Sequence, residues 1–204
     1  MAIASGIQRQ KAWSNVLHTL PYVMASERNS ADWVKAAGRR LAAGGIGAVA
    51  VETLARDLAV TKGSFYWHFR DRAALLKALL AAWEAGSTEP LLRRLEAAGA
   101  GPRARLGRLA ATVAGEGAGS LDPAIRAWAL HDPAAAAAVG RVDHARLAFI
   151  AGEFRALGFA PAEAWTRARL FYLHLLGEHA LAFEARGLPE RLAEATRVLT
   201  LLGV

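Results

Sequence analysis

Within seven consecutive residues the chain carries Lys62, Gly63, Ser64, Tyr66, Trp67 and His68, preceded by Thr61 and followed by Arg70 and Arg72. The chemistry these residue types share is recognition of a polyanion. A tyrosine hydroxyl and a histidine N–H donate to phosphate oxygens, arginines add charge, and small or polar groups in a first helical turn leave room for base edges. Gly63 costs about 1 kcal/mol against alanine inside a helix, a cost that makes sense where the backbone must approach a groove closely. Phe65 and Phe69, four residues apart, read as the inward anchors of the same short helix. Tyr66, Trp67 and His68 then project around its other side.

A helix this short needs others to hold it. Ser30 reads as an N-cap and Asp32 favours the positive helix start, with Trp33, Ala37 and Leu41 on one face and Gly44-Gly45 as the stop. Ile46 can plug the gap beneath this first helix. A second helix is expected over Val51–Leu58, with Val51, Leu54, Ala55 and Leu58 inward. The turn Ala59-Val60-Thr61 leads to a third helix, Lys62–His68, which Thr61 can cap. A fourth, Arg72–Ala85, places Leu75, Leu76, Leu79, Leu80 and Trp83 at helical spacing. Two short helices across such a turn form a helix-turn-helix, whose second helix enters the major groove of DNA.

The stretch from Val51 through the Thr61-Lys62-Gly63-Ser64-Phe65-Tyr66-Trp67-His68-Phe69 core to Arg72, continuing through Leu76, closely resembles the DNA-binding domain of the TetR family of transcriptional regulators. The likeness covers roughly residues 32–80. By position it implies that Lys62, Gly63, Ser64 and Trp67 face the groove and that Tyr66 and His68 bind phosphate. It also implies that Arg72, at the start of the fourth helix, contacts the DNA backbone. Two positions depart from the family pattern: Ala50 stands where Ser or Thr usually caps the second helix, and Ala59 where the turn often holds Gly. The resemblance further implies an all-α fold, with a three-helix DNA-binding domain at residues 30–78 and a larger helical dimerisation and ligand-binding domain at 79–204. Such a protein would be a ligand-responsive regulator, foremost a repressor. It would bind a palindromic operator as a homodimer and be released by a small molecule. The alternative is a helical small-molecule-binding protein of the same fold with little productive DNA binding.

Beyond residue 85, helical signals continue, with breaks near Gly86–Pro90, Gly99–Pro102, Gly115–Pro123, Gly158–Pro161 and Gly187–Pro189. The segments Ile125–Pro133 and Val142–Leu147 look like a recurrent pattern of the family. Two terminal helices, about 162–184 and 189–202, are the expected dimer interface, through Trp165, Ala168, Gly177, Leu192, Leu199 and Leu202. In the last of them Leu192, Ala195, Leu199 and Leu202 form a bundle-like seam. A pocket for a hydrophobic or aromatic effector is expected among Trp128, His131, Phe149, Phe154, Phe171 and His174.

Other chemistry is sparse. His174 and Glu178 stand at i, i+4, a spacing that can serve a metal but reads here as an ordinary helical pair. Gly115-x-Gly117-x-Gly119 follows no strand and so is a connection rather than a phosphate loop. No Ser/His/Asp set or paired carboxylates stand in a supporting context, so neither catalysis nor a cofactor is expected. The chain has 204 residues, no cysteine and a net charge of +7. Those numbers exclude a disulfide framework and thiolate metal sites, and they fit a cytoplasmic protein without a membrane span. The charge is uneven: residues 1–84 hold 11 basic and 6 acidic groups, against 14 and 12 in the remainder. Residues 1–29 read either as a basic arm or as an over-extended start ahead of Met24.

Overall fold

The caps and glycines decide where helices begin and end. In the computed structural model, which describes residues 29–99, 101–115, 121–180 and 187–204, the first helix, α1, spans Ser30–Gly44. Asn29 caps it, one residue ahead of the expected Ser30. Its side chain accepts from the Asp32 N–H at 3.0 Å, while the Asp32 carboxylate accepts from the Asn29 N–H at 3.1 Å. This reciprocal box satisfies two donors at once, which Ser30 would not achieve a residue later. Gly45, at φ 70°, ends α1, and its N–H returns to the Leu41 carbonyl. A single 3₁₀ turn, Ile46–Ala48, leads into α2 (Val51–Asp57), α3 (Lys62–Tyr66) and α4 (Arg72–Ser87).

Six further helices follow among the described residues: α5 (Glu89–Ala97), α6 (Pro102–Gly115), α7 (Asp122–Ala129), α8 (Pro133–Ala156), α9 (Pro161–Ala180) and α10 (Leu188–Leu201). Prolines occupy the first helical turn of α5, α7, α8 and α10, where the missing N–H costs nothing. Asp132 caps α8 by accepting from the N–H groups of Ala134 and Ala135. The fold is all-α; no strand occurs among the described residues, and no helix there is long and apolar enough to cross a membrane. The N-terminal arm and the glycines at 117 and 119 lie outside the described residues.

Two apolar cores divide the molecule. The first gathers Trp33, Leu41, Leu54, Phe65, Leu75 and Leu79 of α1–α4, together with Ile125 and Trp128 of α7 and Val142 of α8. The second gathers Leu106 of α6, Phe154 of α8, Ala168 and Phe171 of α9, and Ala195 and Leu199 of α10. The expected division between residues 78 and 79 falls inside α4. Leu79, Leu80 and Trp83 beyond it share the core of Trp33 and Phe65, so α4 is the shaft joining the two halves.

Candidate nucleic-acid interface and effector cavity

The geometry of α3 starts from Phe65, which is fully buried. Its ring meets Trp33 of α1 edge-on at 5.3 Å and stacks on Phe69 at 5.6 Å. With those anchors inside, the residues between them are turned out: Tyr66 is exposed and Trp67 keeps 88% of its accessible surface. An apolar side chain of that size left in water is the informative departure from ordinary burial. Ser64 is half-buried, whereas Thr61, Lys62, Gly63 and His68 are exposed beside Tyr66 and Trp67 on one surface. Thr61 occupies the N-cap position with extended backbone, but its hydroxyl makes no capping bond.

Gly63 is not required by the fold. Its φ is not positive, and a Cβ there would meet only the Thr61 hydroxyl at 3.6 Å. The Lys62 ammonium is ion-paired with Glu52 of α2, and both side chains are more than half exposed. That hydrogen bond holds the Glu52 carboxyl below its usual range and raises the Lys62 ammonium above its own.

Arg72, which the resemblance implied would contact the DNA backbone, is exposed and also hydrogen-bonded within its own domain. Its Nε donates to the Val49 carbonyl and a terminal nitrogen to the Ile46 carbonyl, both at 2.6 Å. Two guanidinium nitrogens are thus taken up by the loop ahead of α2, where the Ile46 carbonyl also accepts from the Val49 N–H. Arg72 thereby fixes the start of α4 to the entry of the helix-turn-helix. A second brace went unforeseen: Arg40 of α1 grips Asp57 at the end of α2 through two bonds of 2.6 and 2.5 Å. The pair is 17 residues apart, and no local periodicity announces it. At the two departures from the family pattern, Ala50 caps α2 without any side-chain bond and Ala59 adopts φ +56°. A left-handed alanine costs about 1–2 kcal/mol.

Away from α3 lies a cavity of about 1270 Å³ between α1, α4 and the helices of the C-terminal half. Its walls are largely apolar, with Val34, Leu79, Trp83, Leu92, Phe149 and Leu176 prominent. Of the six residues expected around an effector, only Phe149 lines it. Trp128 is packed into the first core, and Phe154 and Phe171 are fully buried in the second. His131 is exposed just beyond α7. His174 instead borders, with Glu178 and Arg191, a separate void of about 10 Å³, no larger than a water needs. No group of three or more potential metal ligands occurs among the described residues.

The polar floor of the cavity joins the two segments that looked like a recurrent pattern. Arg126 of α7 binds Asp122 at 2.7 Å and Asp143 of α8 at 2.6 Å. Arg146 binds Asp122 at 3.0 Å and the Thr88 hydroxyl at 3.1 Å. The Tyr172 hydroxyl of α9 donates to Asp143 at 2.7 Å. Burial pushes the Tyr172 phenol up to about 12, and its bond to Asp143 acts in the same direction. Burial alone would raise the Asp143 carboxyl, but the bonds from Arg126 and Tyr172 outweigh it and hold the group below its usual range. Sequence spacing could have suggested the Asp122–Arg126 pair, four apart on one helix. The partners from α8 and α9 carry no such signal.

Residues 34–79 match the sequence profile of bacterial regulatory proteins of the tetR family. The N-terminal domain belongs to the tetR family. The full fold is similar to that of solved transcriptional regulators. The reduced form of NemR from E. coli has a TM-score of 0.69 at 18% identity, over 83% of this chain and 96% of that one. A transcriptional regulator from Saccharomonospora viridis, solved with choline, has 0.72 at 16%, over 84% and 95%. One from Pseudomonas aeruginosa PAO1 has 0.69 at 18%, over 88% and 94%. Among curated proteins, none matches this chain in sequence.

Behind this tetR-family domain, α9 and α10 distribute their apolar residues between two faces. Ala168, Ala195 and Leu199, set at bundle-like spacing, are buried within the subunit. Gly177, Leu192 and Leu202 are half-buried, and the Leu202 carbonyl accepts from Arg167 at 3.0 Å. The interior thus takes the centre of the expected seam. Left outside are Trp165, Leu170 and Leu173 on α9, with Leu188 and Leu201 on α10.

Proposed function

We propose that the protein is a ligand-responsive transcriptional repressor that binds a palindromic operator as a homodimer and is released by a small molecule. The observation that carries the reading is α3 itself. Its phenylalanines are locked inside while Tyr66, Trp67 and His68 stand free beside Lys62, Gly63 and Ser64. Lys62, Gly63, Ser64 and Trp67 meet the groove, while Tyr66 and His68 donate to phosphates. Arg72 positions the unit through the Ile46 and Val49 carbonyls. Leu170 and Leu173 with Leu188 and Leu201 supply an apolar surface for a two-fold partner, which two half-sites one helical turn apart require.

The effector enters the cavity. One side of α1 lines it through Val34, Gly38 and Ala42, while Trp33 of the same helix holds Phe65 of α3. Occupancy that favours one setting of α1 therefore biases the placement of α3, and ligand and operator oppose each other by linkage. The choline complex of the Saccharomonospora viridis relative supports a small-molecule site in this fold.

Selection from random DNA followed by gel-shift titration against salt tests the reading. Tyr66→Phe or His68→Ala should weaken binding to every sequence and flatten the salt dependence, whereas Lys62→Ala or Ser64→Ala should change base preference. A second reading, a ligand-binding protein with little productive DNA contact, is favoured by the engagement of Lys62 with Glu52 and of Arg72 with carbonyls. Absence of any salt-dependent, sequence-selective binding would establish it in place of the first.

A further inference from the structure

We infer that the ligand of the cavity is an amphipathic organic acid, its anionic group held at the rim by Lys35 and Arg39 of α1 and Arg94 of α5. The inference rests on the cavity being the effector site and names the chemistry that site selects. Five basic side chains line it, Lys35, Arg39, Arg94, Arg126 and Arg146, against one carboxylate, Asp122. That carboxylate is already committed to Arg126 and Arg146, at 2.7 and 3.0 Å. Asp143, just behind, is committed to Arg126 and Tyr172. Glu84, on the neighbouring turn of α4, is held by Arg141 at 2.6 Å. A cationic ligand therefore finds no carboxylate to pair with on the described walls.

The two inner arginines are neutralised by the two aspartates, so the uncompensated charge sits at the rim. Lys35 and Arg39 are one helical turn apart on α1, and both are exposed, as is Arg94. Arg39 also acts through space on Asp57, a carboxylate that Arg40 holds outside the cavity lining. Between rim and floor the wall is an apolar run from Val34 and Leu92 to Phe149, Ile150 and Leu176. An acid with an extended hydrocarbon body satisfies both parts: the body removes apolar wall from water, and the acid group meets the rim cations. The same acid then bridges α1 of the tetR-family domain to α5 of the C-terminal half.

Calorimetric titration with decanoate, decanol and decyltrimethylammonium, all below their micelle thresholds, separates charge from apolar burial. The expected result is decanoate binding about tenfold tighter than decanol, with decyltrimethylammonium weakest. The decanoate affinity should fall with added salt while that of decanol does not. In a Lys35→Gln/Arg39→Gln double variant, which alters only exposed side chains, the advantage of decanoate should vanish and decanol binding should stay unchanged. Decanol or decyltrimethylammonium binding as tightly as decanoate would overturn the acid assignment while leaving the cavity as a ligand site. An undiminished decanoate advantage in the double variant would overturn the rim location. If none of the three binds, the cavity reading fails as well, while the operator selection still decides the DNA-binding reading.

Discussion

The surface of α3 and the floor of the cavity both set basic side chains beside aromatic rings, and they use them in opposite ways. On α3, Trp67 stands almost wholly in water, and Lys62 keeps 52% of its side-chain surface beside an equally open Glu52. In the floor, Arg126 and Arg146 retain 24% and 21%, and aspartates, Thr88 and the Tyr172 hydroxyl enclose them. Water around Lys62 screens its ion pair, so Glu52 can be exchanged for another anion. Around Arg126 the lower dielectric makes each partner expensive to lose. Charges of the same kind thus stand open to solvent in one place and form a structural clasp in the other.

The comparison breaks first at Asp143. Asp143→Ala leaves Arg126 enclosed with one aspartate fewer and should cost about 3 kcal/mol, read from urea unfolding. A loss comparable to that of an exposed ion pair would mean the floor is no more committed than α3.

The pH dependence of stability sharpens the same point. The Tyr172 phenol has a folded pKa of about 12 against an ordinary 10.0, so the folded state binds its proton more tightly. The contribution is complete below pH 10 and is lost as pH rises toward 12, a decline of about 2–3 kcal/mol. Alkaline unfolding should show this leg in the wild type and lack it in Tyr172→Phe.

The smallest effects concern two small residues with opposite demands, Ala59 in the turn and Gly63 in α3. Ala59→Gly relieves a left-handed alanine and should raise stability by about 1 kcal/mol with DNA affinity unchanged. Gly63→Ala should also stabilise, by about 0.5–1 kcal/mol, because the fold leaves room for a Cβ. There, however, operator affinity should fall, since the methyl group meets the groove. Thermal melts paired with gel shifts read both, and a Gly63→Ala protein with intact affinity would remove the reason offered for that glycine.

Local information carried the reading where the chain makes its contacts within a few residues. Phe65 and Phe69 anchor α3 as their spacing implied, Gly45 ends α1, and Ala59 proves left-handed where the family often holds glycine. The cap at Asn29 rather than Ser30 shows the limit of that information, because either residue is a good cap and the reciprocal bond to Asp32 decided between them. Around the cavity the limit comes sooner. Trp128, Phe154 and Phe171 are as apolar as true lining residues, and only their packing against other helices sends them into the cores.

The sequence by itself determined an all-α chain, a helix-turn-helix at its place, and which face of α3 looks outward, because helical periodicity, caps and turn chemistry act over three or four residues. Tertiary structure alone decided that Arg72 braces the unit, that Ala195 and Leu199 stay inside the subunit, and that Asp122, Arg126, Asp143, Arg146 and Tyr172 form one network. Each of those outcomes depends on which helices meet. A guanidinium or a leucine has the same local preference whether a partner helix lies beside it or water does, so the choice appears only once the helices are packed.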